Sequence, residues 1–154
     1  MTDERTQEQV LEDLLDHVVA GLGLEATVEV TSEADGGLVG TLHGEDLGIF
    51  IGRHGQTIDA IQYLLNVIAY RGHGEEKRDV VVDAAGYRAR RQATLEALAL
   101  RVAEQVLESG EREELEPMTA VERKVVHLRL KDVAGVGTTS EGTEPNRYVV
   151  VLPE

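Results

Sequence analysis

Along the first twenty residues Val10, Leu11, Leu14, Leu15, Val18 and Val19 recur at helical spacing with charges between them, and Gly21 and Gly23 follow as stop signals. The spacing predicts a helix over residues 5–20. Residues 26–30 alternate between apolar and polar and predict a strand, residues 33–37 a turn, and residues 38–42 a second strand. A short apolar stretch at 47–51 leads into Gly52-Arg53-His54-Gly55. A stronger amphipathic helix is predicted over 56–70, with Ile58, Ile61, Leu65 and Ile68 on one stripe. A loop over 71–76 and a short buried strand over 79–83 follow.

The second half opens with a long predicted helix over residues 85–109 that buries Leu95, Leu98, Val102 and Val106 and stops at Ser109-Gly110. Thr119 and Glu122 form a capping box behind Pro117, so another helix runs from there to about Lys131. Strands over 134–139 and 147–152, separated by a polar turn at 141–145, close the chain. The order is α-β-β-α-α-β and then α-(β)-α-β-β. It predicts an α/β (α+β) protein of two small units joined by a long helix, without repeats or a low-complexity linker.

Two clusters carry candidate chemistry. Gly52 and Gly55 permit positive φ and remove side chains that would hold another backbone at a distance. The helix after them turns free N–H groups and the positive end of its dipole outward, with Arg53 and His54 adding a charge and a donor. Such a loop suits the backbone of a few nucleotides. On the later helix Arg123 and His127 are one turn apart, Lys124 and Lys131 fall within about a quarter-turn of them, and Val121, Val125 and Leu128 lie nearly opposite. A guanidinium beside an imidazole suits phosphate contact and stacking on a base; a solvated helix face with a satisfied histidine explains the same spacing.

Charge changes the picture locally. The 154 residues carry a net charge of −14, which by itself opposes nucleic acid. Residues 1–45 hold eleven acids and one base, whereas residues 46–71 hold two of each. The acidity is therefore mostly an N-terminal property, and the glycine loop sits in a neutral stretch. The absence of cysteine excludes disulfides, thiolate metal sites and a cysteine nucleophile. The five histidines are scattered over different elements and no hydrolase, Walker or zinc-protease motif is present, so neither catalysis, a cofactor nor a metal is expected. No apolar run reaches the roughly 18–20 residues of a membrane span, and the acidic N-terminus is unlike a signal peptide, so a soluble cytoplasmic protein is expected.

The stretch LGIFIGRHGQTIDAIQYLLNVIAYR resembles the KH domain, and the helix and strand before it match the type II, bacterial arrangement. LEPMTAVERKVVHLRLKD with TTSEGTEPNRYVVVLP resembles the R-three-H single-strand-binding domain, Arg123 and His127 taking its eponymous positions. With GYRARR between them, residues 5–153 resemble the bacterial Jag family (SpoIIIJ-associated, also called KhpB or EloR). The resemblance implies a KH domain over 1–83 and an R-three-H domain over 84–154.

It also implies that Gly52, Arg53, His54 and Gly55 clamp RNA while Ile49, Ile51, Ile58 and Ile61 line or back a groove for bases. Arg129, Thr139, Ser140 and Arg147 would lie near the Arg123/His127 surface, and Arg88, Arg90 and Arg91 form a further basic cluster for binding or ion pairs. The implied function is non-catalytic binding of single-stranded RNA, with DNA left open, as an RNA chaperone or post-transcriptional regulator of cell elongation, division and wall synthesis. A small KH-only partner, or self-association, is implied too. Many relatives carry a Jag-N domain ahead of the KH helix, and this sequence is expected to lack it. The competing reading is a protein-interaction scaffold that uses the KH fold for dimerisation; its support is the scarcity of aromatic platforms, limited to Tyr63, Tyr70, Tyr87 and Tyr148.

Overall fold

The computed structural model describes residues 5–73 and 76–154, with residues 70–73 described by their backbone alone. Contacts divide the chain into two compact units after Arg88.

In the first unit, helix α1 (Gln7–Gly21) starts at a capping box: the Thr6 hydroxyl accepts from the Gln9 N–H, and the Gln9 side chain accepts from the Thr6 N–H. Strands β1 (Ala26–Ser32) and β2 (Leu38–Gly44) form an antiparallel pair, with Ser32 opposite Leu38 at the turn. The chain then crosses the sheet through α2 (Gly48–Ile51), a 3-10 turn (Arg53–Gly55) and α3 (Gln56–His73), and returns as β3 (Val80–Ala84) parallel to β2. The sheet order is therefore β1-β2-β3. Leu11 and Leu15 of α1, Leu38 and Leu42 of β2, Phe50, Ile58, Leu65 and Val82 make one buried core. Gly40 lets α1 lie close on the sheet, since a Cβ there would sit 2.5 Å from a Leu15 methyl.

Two expectations are corrected. Residues 71–73, assigned to a loop, continue α3, while Gly74 and Glu75 of that loop lie outside the described residues. The apolar stripe of α3 is also narrower than its periodicity suggests: Ile58 and Leu65 are buried and Ile61 is half-buried, but Ile68 lies on the flank and is 44% exposed, while its neighbour Ala69 faces Leu38 and Val80.

Helix α4 (Tyr87–Ser109) has one of its first N–H groups, that of Arg88, bonded to the Asp83 carboxylate of β3, and supplies Leu95, Ala99, Val102 and Val106 to the core of the second unit. Leu98, expected in that core, packs against its edge. A two-residue strand β4 (Glu113–Glu114), which no hydrophobic pattern announces, pairs antiparallel with β6 (Tyr148–Pro153), and β6 pairs antiparallel with β5 (Val136–Glu141). Helix α5 (Ala120–Leu130) opens at the Thr119/Glu122 capping box and buries Val126 and Leu130 against this sheet. No helix among the described residues is long and apolar enough to cross a membrane.

One polar cluster fastens the first unit. Glu8 of α1 accepts from the Ser32 hydroxyl and is ion-paired with Arg78, whose Nε donates to the Gly36 carbonyl in the β1–β2 turn. A backbone hydrogen bond first, and then the bond from Arg78, hold the Glu8 carboxyl at a pKa of about 2 instead of 4.5. A carboxylate whose folded pKa is depressed stabilises the fold above its unfolded pKa and loses that contribution as pH falls. Urea unfolding should therefore show stability falling from about pH 4.5 toward pH 2, with part of that slope absent in Glu8→Gln. Equal slopes in both proteins would remove Glu8 from the account. Leu15→Ala, at a fully buried position, should cost about 2–5 kcal/mol in the same assay.

Candidate nucleic-acid interface

The glycine turn is built by steric necessity. Gly52 ends α2 with φ +75°, and a Cβ there would lie 2.2 Å from the Thr57 hydroxyl oxygen. Gly55 has φ +76° and is buried against the ring of Tyr87, where a Cβ would come within 2.6 Å of the phenolic oxygen. Both demands, left-handed backbone and no side chain, admit only glycine. Between them Arg53 and His54 are exposed, and His54 itself is held at φ 53°, ψ 28°. The turn thus fixes its own backbone from below and presents one cation and one imidazole to solvent. Tyr87, expected among the stacking platforms, is instead the floor of this turn. The side chain of Tyr70 lies outside the described residues.

Ile49, just before the turn, is 59% exposed, Ile51 is half-buried and Ile58 is wholly buried. Ile49 is open to a ligand, whereas Ile58 can only support the surface from behind. Separately, α3 and β3 border a groove of about 640 Å³ whose wall includes Gln62, Tyr63, Asn66, Val81 and the carboxylates of Asp59 and Asp79. Tyr63 is 69% exposed there.

The β3 side of that groove is not an open strand edge. Asn66 accepts from the Val80 N–H at 2.9 Å and donates to the Val80 carbonyl at 2.7 Å. Gln62 accepts from the Val82 N–H at 2.9 Å, and Arg88 donates to the Val82 carbonyl at 2.8 Å. Arg88 is itself paired with Asp59 and bonded to Gln62. Sequence reasoning passed over Gln62 and Asn66 because polar residues on a helix normally read as solvated. Their only signal was a four-residue spacing facing a strand that lacks a neighbour.

In the second unit the face of α5 is the reverse of a solvated basic stripe. Arg123 is 8% exposed, and its guanidinium donates to the Met118 carbonyl at 2.8 Å and to the Glu144 carboxylate. The ring of His127 is held between two hydroxyls, Thr138 at Nδ1 (2.7 Å) and Ser140 at Nε2 (2.8 Å). Burial first, and the Arg123 charge second, push its pKa below 6.5, so the ring is neutral at pH 7.

The helix turns Arg123, Val126, His127 and Leu130 inward because the two buried apolar residues set its register. Val121 and Leu128 are left exposed on the other side, together with Lys124 and Arg129, and Lys131 is exposed at the helix end. Thr138, not the expected Thr139, meets His127. Alternation along β5 places residues 138 and 140 on one face, with Thr139 on the other. Arg147 braces the β5–β6 turn through the carbonyls of Gly142 and Ser140. Of the arginine cluster, Arg88 and Arg91 are engaged in ion pairs, the latter with Glu122 at 2.7 Å, and Arg90 is exposed.

A glycine-framed turn inside a parallel crossover, followed by an Arg-xxx-His helix packed on an antiparallel sheet, defines a two-domain protein that couples a KH domain to an R-three-H domain. Residues 8–82 match the KhpA/KhpB KH domain and residues 93–153 the R-three-H domain. The chain belongs to the family that joins these two domains. It is 34% identical to the RNA-binding protein KhpB of Clostridium symbiosum over 149 residues, which is 96% of this chain and 66% of that protein. The KhpB proteins of Lactiplantibacillus plantarum (40% over 148 residues) and Bacillus subtilis (39% over 110 residues) are also similar, with 95% and 70% of this chain covered. The chain spans 66%, 45% and 52% of the lengths of these three relatives.

Gly55→Ala should lower stability by about 1–3 kcal/mol in thermal or urea unfolding, from the left-handed backbone together with the Tyr87 clash. An unchanged midpoint would contradict the steric account. In an NMR titration the His127 ring should protonate below pH 6.5, and Arg123→Gln should move its midpoint upward. Because the folded state disfavours the imidazolium, His127 destabilises the fold as pH falls through its unfolded pKa.

Proposed function

We propose that this chain is a non-catalytic, single-stranded RNA-binding protein in which the KH turn leads recognition. The observation that carries the reading is the turn itself: Gly52 and Gly55 are held in left-handed conformations, Thr57 and Tyr87 fill the space beneath, and Arg53 and His54 stand exposed. Backbone phosphates would approach that turn, and bases would meet Ile49, Ile51 and the groove beside Tyr63 and Val81. The similarity to proteins named RNA-binding protein KhpB supports the same ligand.

In this reading residues 1–83 act as the KH module and residues 84–154 as the R-three-H module. The latter holds flanking strand through Arg123, His127, Ser140 and Arg147, with Arg90, Lys124, Arg129 and Lys131 adding charge from outside that face. Single-stranded DNA fits the same surfaces. The cellular role is that of an RNA chaperone or post-transcriptional regulator in the cytoplasm, acting on cell elongation, division and wall synthesis.

A separate observation favours a protein partner as well. Leu64 and Ile68 are exposed apolar residues on the side of α3 outside the groove, adjoining Tyr63 and Val67 of its wall. A second KH domain, from a small KH-only protein or another copy, fits the family description that groups KhpA with KhpB.

Arg53→Asp/His54→Asp changes only exposed side chains and should reduce anisotropy-measured affinity for a labelled random single-stranded RNA pool at least tenfold, with an unchanged melting temperature. Full binding by that variant would overturn KH-led recognition. Leu64→Asp should leave the fold intact and, in light scattering, abolish any association made through α3.

A further inference from the structure

The second domain holds an anion of its own at the guanidinium on which its binding role depends. Arg123 is anchored: one nitrogen is tied to the Met118 carbonyl, the side chain is 9% exposed, and the residue sits on the inward side of α5. Its other nitrogen is taken by the Glu144 carboxylate. Glu144 is the opposite kind of group, since its side chain is 58% exposed and it belongs to the exposed turn between β5 and β6.

Two other charged side chains at this turn have partners of their own. Glu141 is paired with Arg112 at 2.8 Å, and Arg147 is bonded to the carbonyls of Gly142 and Ser140. His127 adds no positive charge at pH 7. Arg123 and Glu144 thus cancel one another, one fixed cation with one removable anion.

We propose that Glu144 occupies the place on Arg123 that a nucleic-acid phosphate takes in the bound state, so that the β5–β6 turn is an internal competitor for the strand. A carboxylate and a phosphate engage the same guanidinium fork with the same geometry. Binding at this site is an exchange of anions on a fixed cation, in which Glu144 rotates into solvent and the incoming oxygens take its hydrogen bond. Because one ion pair replaces another, the exchange yields little net affinity. With Glu144 in place, the Arg123 guanidinium itself exerts little long-range pull on the strand. Glu144 thereby restricts the R-three-H site to a strand already delivered by the first domain. The inference rests on the reading of the Arg123/His127 surface as a single-strand site.

The test uses the full chain and a fluorescein-labelled random RNA pool about ten nucleotides long, a length set by the several nucleotides such single-strand modules cover, with anisotropy titrations at several salt concentrations. Glu144→Gln removes the competing charge. Glu144→Asp keeps the charge and shortens its reach by one methylene, which also guards against a Gln variant that fails to fold. Both should bind about three- to tenfold more tightly than wild type at low salt, with an unchanged log–log salt slope, because the same phosphate meets Arg123 in either protein. Arg123→Gln combined with Glu144→Gln should lose the gain.

Three results would overturn the proposal. If both Glu144 variants bind like wild type while Arg123→Gln alone weakens binding, the surface meets RNA but Glu144 is only a structural ion pair. If Glu144→Gln gains and a folded Glu144→Asp does not, the effect is general repulsion by the turn. If no substitution at Arg123 or Glu144 alters binding, the R-three-H surface is not in the interface, and the reading beneath the proposal fails with it.

Discussion

The parallel pairing of β2 and β3 is the constraint from which the first domain follows. Parallel neighbours cannot be joined by a tight turn, so the chain must cross the face of the sheet between Gly44 and Val80. The crossover is made of two helices, α2 and α3, because each offers an apolar side to that face through Phe50, Ile58 and Leu65. Their junction is the four residues Gly52–Gly55, where both glycines take positive φ. The feature that most suggests ligand binding is thus a by-product of sheet topology, and its exposed Arg53 and His54 come at no cost to the core.

The same topology leaves β3 as an edge strand, and the chain closes that edge with side chains. Asn66, Gln62 and Arg88 take up the peptide groups of Val80 and Val82 that face away from β2, so the strand next to the groove is satisfied without a further strand. This keeps the edge from pairing with another chain. It also leaves the groove walled by side chains rather than by backbone. The second domain manages its polar groups in a similar way. Its buried arginine is matched by a carboxylate and its histidine by two hydroxyls, so a surface that looks basic in sequence is balanced in three dimensions.

Much of the fold was legible because hydrophobic period and glycine placement act locally. The α-β-β-α-α-β order, the capping box at Thr119 and the stop at Gly110 depend on residues close together in the chain. The failures have one cause in common, which is that exposure depends on partners distant in sequence. Ile68 has nearly the right spacing but sits on the flank of the buried face, which Leu65 and Ala69 occupy, and Leu128 lies on the apolar side of a helix that buries a different face. Arg123 is charged and nonetheless buried, because Glu144 lies twenty-one residues away and folds back onto it. The two-residue β4 has no hydrophobic pattern of its own, being held only by its pairing with Val150 and Val151.

The measurement that bears most directly on this account is a backbone-amide NMR map of the full chain during titration with single-stranded RNA. The account predicts the earliest and largest shifts at residues 52–57 and along the groove side of α3, with later, smaller shifts at α5 and the β5–β6 turn. Shifts that begin at α5 while residues 52–57 stay still, or shifts confined to the outer side of α3, would contradict it.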